Sequence, residues 1–190
     1  MNKPSWTYRW LKLQAIGLLV LGRREAAEQR FDRMLQQWPG DAYALASRAH
    51  LRGERGALDA ALQDAAALVA AHPSSSAAHW FNYGYLLEQA KRTADAEQAF
   101  RRAVDIDPQL DRAWYGLGLA LVRLKRFEEA EAALLRNTEL QPMSPYGWYH
   151  LARVYADRQQ PDDARRVIKH LQGFEPKVAA QLERETGIAI

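Results

Sequence analysis

The stretch WFNYGYLLEQAKRTADAEQAFRRAVDIDP, residues Trp80 to Pro108, reads as two helices followed by a stop. Trp80, Tyr83, Gly84 and Leu87 recur at three- and four-residue steps, which places them on one face of a helix. Pro108 lacks an N–H and restricts the residue before it, so it closes the second segment. Gly84 in mid-helix costs about 1 kcal/mol relative to alanine. Its place in the apolar stripe marks a point where another helix comes close.

The pattern extends in both directions. Pro39, Pro73, Pro108, Pro142 and Pro176 are spaced by 34, 35, 34 and 34 residues, a period that signals a repeat architecture. Twenty-eight residues before each proline stand Leu11, Leu45, Trp80, Trp114 and Trp148; 24 before stand Ala15, Ala49, Gly84, Gly118 and Ala152. An alanine lies 12 before every one (Ala27, Ala61, Ala96, Ala130, Ala164), and Phe31, Ala65, Phe100, Leu134 and Ile168 lie eight before. Large, small, small, large recurs in register.

On these residues the chain resembles the tetratricopeptide repeat (TPR) family over about residues 8–178. Trp80, Tyr83, Gly84, Leu87, Ala96, Phe100, Ala103 and Pro108 carry the likeness in the best unit. The next carries Trp114, Leu117, Gly118, Leu121, Ala130 and Pro142, and the last Trp148, Leu151, Ala152, Tyr155, Ala164 and Pro176. The resemblance implies an all-α fold, a right-handed superhelical α-solenoid of helix-turn-helix repeats spanning residues 1–190. Repeats are expected at about 8–41, 42–75, 77–110, 111–144 and 145–178. A capping helix is expected at about 176–187, with Val178 and Leu182 inward, because a solenoid end needs a polar outer face. The second unit departs most: Arg48 and Arg52 replace apolar residues and Ala65 a large one, predicting looser packing or a shifted register. The HPSSSAAH connection holds the one extra residue.

Composition narrows the chemistry. The chain is 48% hydrophobic and 26% charged, with a formal charge of +3 that is well mixed, so net charge points weakly to nucleic acid or membrane. There are no cysteines, which excludes disulfides, thiolate nucleophiles and thiolate metal sites and fits a reducing cytoplasm, with a periplasm as the alternative. The sequence has no phosphate-binding glycine loop, nucleophile elbow or HExxH. His50, His72, His79, His150 and His170 lack ligand spacing, although His72 and His79 flank the serine loop. The pairs Glu128/Glu129 and Asp162/Asp163 sit at the starts of second helices, where the helix dipole favours them. No cofactor, metal or enzymatic activity is expected.

The side of each first helix opposite the core is the informative surface. By the helical period it holds Phe81, Tyr85 and Glu88, then Tyr115, Leu119 and Val122, then Tyr149, Arg153 and Ala156. The family resemblance makes this the concave groove that receives a partner segment. Phe81, Asn82, Tyr85, Arg112, Tyr115, Arg123, Tyr149 and Arg153 are its candidate contacts, since aromatic rings and arginines dominate interface hot spots. Such a groove suits an extended or helical peptide with apolar side chains and an acidic group. Lys12 and Asn82 resemble parts of the family's terminal-carboxylate clamp, but Ile16, Ser47 and Gly116 leave it incomplete. Glu54, Glu88 and Asp157 argue against a phosphate track for single-stranded nucleic acid. The expected function is a non-enzymatic adaptor for another protein, with a self-associating scaffold as the alternative.

The run QAIGLLVLGRRE, Gln14 to Glu25, raises a different question. The apolar stretch from Trp10 to Gly22 has 13 residues, interrupted by Lys12 and Gln14, against roughly 20 needed to span a bilayer. Charge follows where a signal peptide would place small residues, and cleavage there would strip Ala27 and Phe31 of a partner helix. The run is therefore the first helix of the first repeat, with Leu11, Ala15 and Leu18 inward. Ile16, Leu19 and Val20 then form an apolar contact surface at the N-terminal end, covered either by Trp6, Tyr8 and Trp10 folding back or by a partner or second copy.

Overall fold

A computed structural model describes residues 5–74 and 76–190. The first four residues, Lys3 among them, and Ser75 of the serine linker lie outside the described residues. Within that range the protein is all-α, a succession of eleven helices. They are α1 (Trp6–Val20), α2 (Arg24–Gln37), α3 (Ala42–Glu54), α4 (Leu58–Ala71), α5 (Ala77–Gln89) and α6 (Thr93–Ile106), followed by α7 (Asp111–Arg123), α8 (Phe127–Leu140), α9 (Pro145–Asp157), α10 (Pro161–Gln172) and α11 (Pro176–Thr186). Each helix packs on the next, and α5, α7, α9 and α11 also touch their alternate neighbours. The result is five helix pairs and a capping helix.

The turn inside every pair has one construction. Gly22, Gly56, Lys91, Lys125 and Gln159 adopt positive φ of 69°, 81°, 59°, 58° and 58° just after the first helix. The following N–H then reaches back to a helix carbonyl, as from Arg92 to Leu87 and from Arg126 to Leu121, both at 2.9 Å. This left-handed closure satisfies carbonyls the helix would leave unpaired.

The joint between pairs explains why tryptophan and proline recur together. The indole N–H groups of Trp80, Trp114 and Trp148 donate to the carbonyls of Pro73, Pro108 and Pro142 at 2.8, 3.0 and 2.9 Å. Trp80 spans one residue more than the other two, so the extra linker residue is absorbed without moving the bond. These rings are half-buried braces on the core, in contrast to the inward place expected for Trp80.

The core itself is built by smaller residues. Ala15, Ala27, Ala61, Ala96, Ala130, Ala152 and Ala164 are fully enclosed, which lets paired helices touch. Phe100 lies between Gly84 and Gly116, where an added Cβ would stand 2.8 Å from its ring on either side. Leu134 does the same under Gly118, at 2.7 Å. The close approach read from Gly84 is thus to an aromatic ring of the second helix.

The second pair keeps its register, contrary to one of the two expectations for it. Arg48 and Arg52 still point inward, and carboxylates replace the apolar neighbours. Arg48 makes a two-pronged contact to Asp64 at 2.8 and 2.5 Å and reaches Asp32 at 2.7 Å. Arg52 bonds Asp64 at 2.9 Å and Glu28 at 2.8 Å, and Arg55 joins Glu28 at 3.1 Å. Burial works against the Arg48 charge, but the bonds to Asp64 and Asp32 outweigh it and raise its pKa. The apolar core accordingly falls into two clusters, one around Phe31, Met34 and Leu45 and one running from Ala49 to Leu182.

Candidate functional site

The first helices present a row of three depressions. Between α3 and α5 lies a cleft of about 400 Å³, walled by Ala46, His50, Phe81, Asn82 and Tyr85 among others. Between α5 and α7 lies a second, of about 470 Å³, that shares Phe81 and Tyr85 and adds Glu88, Arg112, Tyr115 and Arg123. A smaller polar hollow of about 280 Å³ shares Arg112 and Tyr115 and continues to Asn137, Ser144 and Tyr146. Shared walls set the three side by side, as a track across α3, α5, α7 and the start of α9.

Charges along the track are unevenly compensated. Arg123 is paired with Glu88, so that arginine is already engaged. The other oxygen of Glu88, Oε1, is enclosed without a hydrogen-bond partner among the described residues, and buried carboxylate oxygens ordinarily have one. Arg112 is exposed and stacks over the Phe81 ring at 4.7 Å, with no carboxylate partner among the described residues. Arg112 is therefore the cationic group on offer beside apolar walls, while the Glu88 carboxylate is engaged by Arg123 on one oxygen and enclosed on the other. Burial, with Tyr146 close by, raises the Tyr115 pKa and keeps that phenol a neutral donor.

Six of the eight groove candidates meet in these clefts: Phe81, Asn82, Tyr85, Arg112, Tyr115 and Arg123. Tyr149 and Arg153 are placed apart from them. The Tyr149 hydroxyl donates to Glu185 of α11 at 2.5 Å, and Arg153 reaches the same hydroxyl at 3.3 Å. The capping helix thus occupies that end of the first-helix row. Ala46 and His50 were not among the candidates, yet they are the counterparts of Phe81 and Tyr85 one 35-residue interval earlier. Carrying the period back into the irregular second unit would have found them.

His150 was also passed over. It lies against Tyr149 and Tyr115, with ring centroids at 5.1 and 5.8 Å. Burial, reinforced by Arg153 and Arg123, pushes its pKa down to about 4. The folded protein then holds a neutral imidazole where the unfolded chain titrates near 6.5. Between those values the unfolded state binds more protons, so stability should fall as pH drops through that window and level off above it. Urea titrations across pH 4 to 7 check this, and His150→Gln should flatten the slope.

At the N-terminal end, Ile16 and Val20 are exposed and Leu19 is half-buried against the first core cluster. Tyr8 folds onto Trp38 edge-on, at 5.2 Å between centroids. Trp6 and Trp10 do not fold back over the apolar surface; both are exposed and extend it. Among the described residues no helix is long and apolar enough to cross a membrane. Nor do the described residues hold a group of three or more histidine, aspartate or glutamate side chains that could bind a metal. His72 contacts the Gly40 carbonyl at 2.6 Å.

Known proteins share this architecture. MamA superposes with a TM-score of 0.82 at 16% identity, covering 97% of both chains. YrrB, described as a TPR protein with an unusual peptide-binding site, gives 0.81 at 17% identity over 90% of this chain and 88% of its own. A tetratricopeptide repeat protein from Parabacteroides merdae gives 0.82 at 18% identity over 96% of this chain and 75% of its own. No curated protein sequence matches significantly. Residues 60–174, more than half of the chain, match the family described as the cilia and flagella-associated protein 70 middle TPR-like domain. With the repeated helix pairs, the Trp–Pro joints and this match, the chain belongs to that TPR-like family.

Proposed function

We propose that the protein is a non-enzymatic adaptor that captures a segment of another protein in the track across α3, α5 and α7. The observation that carries this is the coincidence, in one cleft, of aromatic walls with an exposed guanidinium that has no carboxylate partner among the described residues. Tyr85 and Tyr115 offer apolar area, and Arg112 offers a charge to be met. A peptide supplies both complements: apolar side chains for the rings and an acidic side chain for Arg112. The clefts on either side of the Phe81–Tyr85 ridge would take its apolar side chains. Tyr149 and Arg153 would then act only at the margin, through their contact with α11.

Capture of a peptide is the activity that the resemblance to the YrrB fold supports as well, since that protein is described by its peptide-binding site. The test is selection from a displayed peptide library, followed by affinity measurement on variants. Arg112→Ala with Tyr115→Ala should weaken the selected peptides by at least about 2 kcal/mol, the loss typical of a hot spot. Far-UV circular dichroism should be unchanged, because Arg112 is exposed and Tyr115 half-buried. Selected peptides should be enriched in an acidic residue flanked by apolar ones. Peptides that bind the double variant as well as the parent would remove the track from consideration.

A further inference from the structure

We propose that α1 is an interfacial helix that lays its outer face on an anionic lipid surface. The helix has two faces. Leu11 and Ala15 are buried against α2 and its neighbours, with Leu18 half-buried beside them. On the other side Trp6, Trp10, Leu13, Ile16 and Val20 follow one another at steps of four, three, three and four residues, and Leu21 continues the line. Trp6 is 82% and Val20 81% exposed, so this is a continuous apolar arc open to solvent. Patches of that kind on a folded protein mark a contact surface.

The charges around the arc select the occupant. The first 24 residues contain five cations and no carboxylate; Glu25, in α2, is the first acid. Arg9 lies within the arc and Arg23 at its end, both exposed and without an ion-pair partner among the described residues. Arg24 is loosely paired to Glu54 at 3.4 Å with 65% of its side chain exposed, and Lys12 stands at the flank over the Tyr43 ring. Apolar residues, exposed tryptophans and basic groups without acids are the makeup of helices that lie in the headgroup region. A second copy fits less well, because two-fold pairing of α1 would bring Arg9 and Arg23 of both copies to the contact with no acid on the helix to meet them. The position also suits a plane: α1 packs chiefly on α2, and among the described residues no other helix covers the arc. At 15 residues, about 22 Å, the helix lies on a bilayer and does not span it.

Sedimentation of the purified protein with vesicles tests the proposal. With vesicles of mixed phosphatidylglycerol and phosphatidylcholine the protein should pellet, and at least about tenfold more weakly with phosphatidylcholine alone. Arg9→Glu should reduce the preference for anionic vesicles. Leu13→Glu with Val20→Glu should remove binding to both, and unchanged circular dichroism would show that these exposed positions leave the fold intact. Lipids brominated in their acyl chains should quench tryptophan fluorescence, and Trp6→Phe with Trp10→Phe should abolish the quenching. Absence of vesicle binding by the parent protein, or binding that survives the glutamate pair, overturns the proposal. A concentration-dependent dimer lost in the glutamate pair, without vesicle binding, assigns the arc to a second copy instead.

Discussion

Asp64→Ala should destabilise the protein by about 3–5 kcal/mol, more than any single change on its surface. The Asp64 side chain is only 5% exposed and accepts from two guanidiniums, Arg48 and Arg52, whose side chains are each 17% exposed. Removing it leaves two half-enclosed cations with Asp32 and Glu28 as their remaining partners. The cost is mainly that of unpaired charge in a place water reaches poorly. The cluster itself is a different matter, because desolvating its members offsets much of their attraction. Replacing Arg48, Arg52 and Asp64 together by leucine should therefore be neutral or stabilising, and should join the two apolar clusters into one. Urea denaturation of the single and triple variants separates these outcomes. A triple variant as unstable as Asp64→Ala would show that the ion pairs, and not the exposed need they leave behind, hold the second repeat.

This cluster shows where the sequence stopped being legible. Arg48 and Arg52 stood out because the period assigns them to positions held elsewhere by Leu117, Leu121 and Leu151. Their misfit could be seen, but not its resolution. Asp64 occupies the place of Ala99 and Ala133 in later units, and nothing local marks it as their partner. The pairing depends on how far two long side chains reach between helices, which is a property of packing and not of spacing. The period carried the helix pairs because each unit repeats the same joints: a left-handed turn residue, a proline, and an indole that bonds back to it. It assigned the tryptophans too deep a place because position on a helix face fixes direction, not depth.

The groove was legible to a similar degree. Facing outward put Phe81, Tyr85 and Tyr115 on one surface, and the structure brings them to neighbouring clefts. What spacing could not give was which charges are already satisfied. Arg123, Arg153 and Arg112 look alike in sequence, yet Glu88 engages the first, Tyr149 the second, and the third stacks on the Phe81 ring with no carboxylate partner among the described residues. Those differences arise from neighbours on other helices, so they appear only once the pairs are stacked.

Phe100→Ala should cost about 3–5 kcal/mol, and the loss should depend strongly on what stands at position 84. Phe100 is 2% exposed, held between the Gly84 and Gly116 backbones and tilted against Phe81 at 5.9 Å. Deleting the ring removes its burial and leaves a cavity that two rigid helices cannot close. Gly84→Ala in the parent protein should also destabilise, by about 1–3 kcal/mol, because its Cβ would press a ring already confined from the opposite side. In the Phe100→Ala background that clash is gone, and alanine's better helix propensity, worth about 1 kcal/mol, should emerge as a gain. The double variant should then be more stable than Phe100→Ala alone, a sign reversal that distant, independent sites do not show. Because Phe100 also floors the cleft between α5 and α7, the same cycle read by peptide affinity reports on the groove. Peptide binding should weaken in Phe100→Ala through movement of Phe81 and recover partly when Gly84→Ala refills the space. Strictly additive stabilities would mean that Gly84 is small for a reason other than the ring beneath it.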